Sequence, residues 1–170
     1  DVSLTTEHFE KLMAEHFENA VSEEEAVKLA QTMGYARKII PLVTTYFWIS
    51  SDLYYPEASA SHITSFGFID PKTWANSVNT QSGAGVLSTP EYVDADVKGE
   101  PIPEGRTPME TVEQLMENAE QALPLVEELL SNEPEQYKND AQREFYQMIH
   151  DQRMMANLGR YYSEKTAAAI

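Results

Sequence analysis

Ser22–Tyr55, SEEEAVKLAQTMGYARKIIPLVTTYFWISSDLYY, decides the fold class of this chain. Ser22 and Glu25 form a Ser-x-x-Glu capping box, in which each side chain satisfies a backbone donor at a helix start. Behind it, Leu29, Met33, Ala36, Ile40, Val43 and Phe47 recur at spacings of three and four, the period of one helical face. Ile39, Leu42, Tyr46, Trp48 and Ile49 then leave almost no polar side. A helix apolar all round must be covered all round, so this stretch is expected at the centre of a helical bundle. Pro41 removes one backbone hydrogen bond and is expected to kink the helix.

The flanking segments complete an all-α reading. Thr5 or Thr6 opens a first helix to about Ala20, with Phe9, Leu12, Met13, His16, Phe17 and Ala20 on one face. Thr107-Pro108-Met109-Glu110 is a second capping box, with proline at the first helical position. It starts a helix to about Ser131 whose core stripe is Val112, Leu115, Met116, Ala119, Leu123, Val126 and Leu130. A last helix is expected from Pro134 to Thr166, with Tyr137, Ala141, Phe145, Met148, Ile149, Met155 and Tyr162 inward. The architecture expected is one domain over residues 1–170: a four-helix up-and-down bundle with helices over 5–20, 22–54, 108–131 and 134–166.

Between the second and third helices, residues 56–106 hold five of the nine prolines and five of the seven glycines. Ile63, Phe66, Phe68, Trp74 and Tyr92 nevertheless need burial, so the segment is expected as a long irregular cap rather than a linker. Asp70-Pro71 is expected to open a single helical turn. The Pro-Leu-Val of Pro41–Val43 recurs at Pro124–Val126, so two bundle helices carry a mid-helix proline. Facing bends would open a mid-bundle pocket, a favoured ligand location.

Composition narrows the function. A net charge of −16 disfavours nucleic acid and anionic membranes, both of which are held by Lys and Arg. No apolar run reaches the ~18 residues of a membrane span. The absence of cysteine excludes disulfides, thiolate metal sites and cysteine nucleophiles. It suits the cytoplasm and extracytoplasmic compartments alike; of the two, an extracytoplasmic location is the expectation.

The leading expectation is a small-ligand-binding or sensor-type domain rather than an enzyme. Its pocket would lie under the cap, lined by Tyr46, Trp48, Tyr54, Tyr55 and Trp74, with His62 beside them. Aromatic side chains of this kind combine apolar walls with a polar tip. One alternative is a protein–protein interaction module using the third helix, where Glu110, Glu113, Glu117, Glu120, Glu127 and Glu128 stand without a Lys or Arg from Thr107 to Asn132. Another is a b-type haem or metal bundle, with His150 and either Met13 or Met33 as axial ligands. No histidine pair has helical metal-site spacing. Asp94-x-Asp96 begins like a calcium loop, but Lys98 and Gly105 stand where oxygen ligands belong, leaving only a looser cation site using Glu91, Asp94, Asp96 and Glu100.

Overall fold

A computed structural model describes residues 2–46, 70–75 and 85–170. Its helices are, in order, α1 (Val2–His16), α2 (Glu23–Ala36), α3 (Ile39–Tyr46), α4 (Pro71–Ala75), α5 (Thr89–Lys98), α6 (Pro108–Leu130) and α7 (Asp140–Ala167). The described residues are mostly helical and contain no strand; one isolated bridge joins Val86 and Arg106. No described helix is long and apolar enough to cross a membrane.

The chain forms two compact units. One holds residues 1–39 and 117–159, the other 40–116 and 160–170. In the first, Met13, Phe17 and Ala20 meet Leu29, Ala30, Val126, Leu129, Phe145, Tyr146 and Ile149 in one core. Phe17 and Phe145 are fully buried and pack edge to face, 5.2 Å between centroids. The α1 stripe is narrower than its sequence suggests: Leu12 and His16 are exposed, and His16 lies 3.5 Å from Glu144 at the surface.

The two helices of this unit's N-terminal pair are set by their ends. The α1–α2 turn closes with Ala20 and Val21 N–H donating to the Phe17 carbonyl. It is held from α7 by Asn139 Nδ2 on the Asn19 carbonyl and Gln142 Nε2 on that of Ala20. The expected Ser22–Glu25 capping box then starts α2. Lys28 bridges Glu24 at 2.8 Å and Glu128 at 2.6 Å, tying α2 to α6, and both carboxylates favour its charged form.

Expected helix boundaries change, beginning with the first helix, which spans Val2–His16 rather than 5–20. The 22–54 helix is broken: α2 ends at Ala36 and α3 begins at Ile39, ahead of Pro41. Restarting places Pro41 in a first turn, where N–H groups lack intrahelical partners and its missing donor costs nothing. The last helix starts at Asp140, not Pro134, because Asn139 Oδ1 accepts from Gln142 N–H at 2.8 Å and caps it. Pro124, by contrast, is accommodated within one helix, α6. Pro41 and Pro124 are both exposed, as is Glu120, the residue whose carbonyl Pro124 leaves without its N–H donor. Both prolines therefore stand on exposed faces of their helices.

Residues 56–106 are less irregular than expected where they are described. The single turn at Asp70 is α4. Ser88 and Glu91 form a third reciprocal capping box, starting α5, which ends on Gly99 at φ +65°. The loop back to α6 closes with Leu87 N–H on the Arg106 carbonyl and Arg106 N–H on that of Gly85. Gly105 is required there: its φ is +143°, and a Cβ would lie 3.2 Å from the Gly85 carbonyl oxygen.

Two helical glycines make opposite predictions. A Cβ at Gly159 would come within 2.8 Å of Ile39 Cδ1, whereas one at Gly34 meets nothing within 4 Å. Gly34→Ala should therefore gain the helix-propensity difference of about 0.5–1 kcal/mol. Gly159→Ala should lose about 1 kcal/mol net, because overpacking outweighs the same gain. Urea unfolding midpoints decide; equal stabilisation in both would refute the close approach at Gly159.

Candidate functional site

The aromatic residues expected to line a ligand pocket divide into those described and those not. Trp48, Tyr54, Tyr55 and His62 lie outside the described residues. Tyr46 and Trp74 come together in the second unit, but as buried core: they are 4% and 1% exposed. Trp74 stacks on Tyr162 with centroids 5.6 Å apart and donates from Nε1 to Thr166 Oγ1 at 3.2 Å. The Tyr46 hydroxyl is hydrogen-bonded to Thr89 Oγ1. Arg106, half-buried nearby in sequence space at the α6 start, donates to Thr45 Oγ1 at 2.6 Å and Thr111 Oγ1 at 3.2 Å.

Lys165 joins this cluster and was not singled out by sequence. It is 6% exposed, with Nζ 5.0 Å above the Trp74 ring and 3.2 Å from the Tyr161 hydroxyl. Burial pushes its ammonium down to about 8. Nothing in the local sequence, Ser163-Glu164-Lys165-Thr166, signals this. A lysine in a last helical turn ordinarily reads as a solvated complement to the helix dipole.

The haem and metal candidates are engaged elsewhere. His150 Nε2 lies 3.1 Å from Glu133 Oε2, and Arg153 Nη2 lies 3.2 Å from His150 Nδ1. Arginine can only donate, so Nδ1 accepts and Nε2 carries the proton given to Glu133. Both ring nitrogens are thereby occupied. The Tyr137 hydroxyl, donating to Glu133, holds that carboxyl below its usual range, and His150 adds to the effect. Met13 is closed into the first unit's core. Met33 lies half-buried on α2, on a small cleft toward α1. Asp94 pairs with Lys98 at 2.6 Å along α5, and Asp96 is exposed on the same helix. No group of three or more His, Cys, Asp or Glu capable of holding a metal occurs among the described residues.

The first unit offers a different kind of site. An open groove of about 550 Å3 runs along the α1–α2 pair, with Ala14, Val21 and Val27 as its half-buried floor. Its rim is Glu7, Glu10, Glu15, Glu18 and Glu23, against the single cation Lys11. Lys11 approaches Glu15 at 3.7 Å, and Gln31 donates to Glu10 at 3.2 Å. The helices explain the arrangement. Glu7, Lys11 and Glu15 follow helical spacing on α1 and Glu18 stands in the turn after it, while Glu23 is held at the groove's end by the α2 cap, where a carboxylate suits the helix dipole. Such a surface has no nucleophile and no acid–base pair converging on one point; what it can do is bind a cation with an apolar body.

Lys165 gives the Trp74 cluster of the second unit a pH signature. Because the folded pKa is below that of a free lysine, the unfolded chain binds the extra proton more readily, and stability rises with pH across the window from about pH 8 to about pH 10.5. Lys165→Met should flatten that rise in urea midpoints; an unchanged slope would show that another group titrates. The chain matches no family model, no curated protein and no solved structure.

Proposed function

We propose that this chain is a binding module whose docking surface is the α1–α2 groove and whose partner is a cationic, amphipathic polypeptide segment. One observation carries the reading: an acidic rim surrounds an apolar floor left half-buried. A face that serves only solvation needs carboxylates but no apolar floor. Glu7 to Glu15 span about 12 Å along α1, room for about two turns of a docked helix. Lysines on that segment would meet the rim while its apolar residues cover Ala14, Val21 and Val27.

The surrounding charge supports the same partner. Glu113, Glu117, Glu120, Glu127 and Glu128 are exposed along α6, and a net charge of −16 accelerates the approach of a basic partner. This retains the interaction-module alternative and moves its centre from α6 to the α1–α2 pair. The four-helix up-and-down bundle with a cap over 56–106 is the proposed architecture; it is supported by the α1–α2 pairing and the short connection from α6 to α7. A small-ligand reading is favoured by a separate feature, the cleft beside Met33.

A fluorescein-labelled helical Lys/Leu/Ala peptide tests the proposal by anisotropy. Binding should weaken with added salt. Combining Glu15→Gln, Glu18→Gln and Glu23→Gln should weaken it roughly 10-fold or more, as three rim charges at up to about 1 kcal/mol each allow. Combining Glu113→Gln, Glu117→Gln and Glu120→Gln changes the net charge equally and should leave most affinity intact. Equal losses would mean that the peptide reads net charge alone, and the groove assignment would fail.

A further inference from the structure

Toward the other end of the α1–α2 pair, Phe9, Ala30, Met33 and Gly34 wall a small apolar cleft of about 110 Å3, with Thr6 and Arg37 also on its lining. Gly34 has no structural reason to be glycine. It lies inside α2 without a positive φ, and a Cβ there meets nothing within 4 Å. Glycine in a helix interior is the costlier choice against alanine. Gly159 shows the contrast, since Ile39 and Ala119 occupy the space its side chain would need. At Gly34 the vacant volume opens onto the cleft.

Arg37 is the second oddity. Acidic residues outnumber Lys and Arg 28 to 12, yet among the described residues no carboxylate pairs with the Arg37 guanidinium. Lys11, Lys28, Lys98 and Arg143 all have partners within the same helix. As the exposed C-cap of α2, Arg37 is stabilised by the helix dipole, which accounts for its charge but not for its place beside an apolar opening. A guanidinium at the edge of a cleft walled by a phenyl ring and a thioether is suited to a carboxylate whose apolar body enters the cleft.

We propose that this cleft binds a small organic monoanion, a carboxylate carried on a single ring or a short branched chain, with Arg37 as its charge partner and the missing Gly34 side chain making its space. The volume sets the size: at about 110 Å3 the cleft is smaller than the roughly 150 Å3 cavity that encloses one benzene ring, so a single ring or short branched chain enters it only in part and leaves its carboxylate outside, at Arg37. The site is independent of the acidic groove, whose rim would repel the same ligand.

The probe is 4-fluorobenzoate followed by 19F NMR, with 4-fluorobenzyl alcohol as the neutral counterpart. Wild type should bind the anion saturably and about 10-fold more tightly than the alcohol, the difference one charge-assisted contact supplies. Arg37→Gln should erase that preference while leaving alcohol binding unchanged. Gly34→Leu should abolish binding of both by filling the cleft; should it fail to fold, Gly34→Ala should still weaken both. Absence of saturable binding, equal affinity for anion and alcohol, or undiminished binding in folded Gly34 variants would each overturn the assignment.

Discussion

Every helix must satisfy the N–H groups of its first turn, and the architecture here depends on how that requirement is met. Ser22 with Glu25, Ser88 with Glu91 and Thr107 with Glu110 are the same reciprocal device used at three starts. Asn139 with Gln142 is a variant in which the amide oxygen of Gln142 accepts from Lys138 N–H instead. Pro41 meets the requirement from the other side, having no N–H to satisfy. Each cap also fixes a carboxylate in space: Glu25, Glu91 and Glu110 are spent on backbone donors, and the last two are held below their usual range by those bonds. Glu23 is left to face the groove, while Glu24 pairs with Lys28, and Glu23 is why the end of the groove is acidic.

Local signals of this kind were legible; their tertiary consequences were not. Two of the capping boxes could be read directly. Ser88-Thr89-Pro90-Glu91 carries the same pattern, but its proline- and glycine-rich surroundings disguised α5 as loop. The stretch from Asp94 that begins like a cation loop instead lies in α5, which ends on Gly99 as a left-handed cap. Periodicity placed the α6 face only approximately: its buried apolar set is Leu115, Ala119, Ala122, Val126 and Leu129, whereas Val112, Met116, Leu123 and Leu130, also expected in the stripe, are half-buried. The break ahead of Pro41 was not readable because a mid-helix proline can kink or terminate a helix, and the choice belongs to packing.

The site was harder to read for a physical reason. Aromatic density suggests a pocket only if the rings leave space between them, and space is not a property of sequence. Tyr46 and Trp74 instead use their polar tips on Thr89 and Thr166, satisfying the demand that buried hydroxyl and indole groups be hydrogen-bonded. His150 similarly looked like a free ligand beside methionines, whereas Glu133 and Arg153 take both nitrogens. Gly34 attracted no attention in sequence because an isolated helical glycine acquires meaning only when its vacant side is seen.

The α1–α2 pair thus places two opposite charge environments in one antiparallel unit. Near the turn, glutamates from both helices converge because one helix is ending and the other is beginning with its acidic first turn. Away from the turn, α2 reaches its C-terminus, where the dipole favours cations, and Arg37 and Lys38 follow each other. Lys38 is drawn onto the Tyr35 ring at 5.6 Å, which leaves the guanidinium of Arg37 as the charge presented beside Phe9 and Met33. The polarity of the helix backbone therefore sorts the side chains: anionic groups gather where α2 starts and cationic ones where it stops. In a molecule with so large an acid surplus, that local sorting is what sets the exposed Arg37 beside an apolar cleft. The long-range field, screened over about 10 Å at ordinary ionic strength, opposes an anion there, and only a contact as short as a guanidinium–carboxylate pair can overcome that opposition.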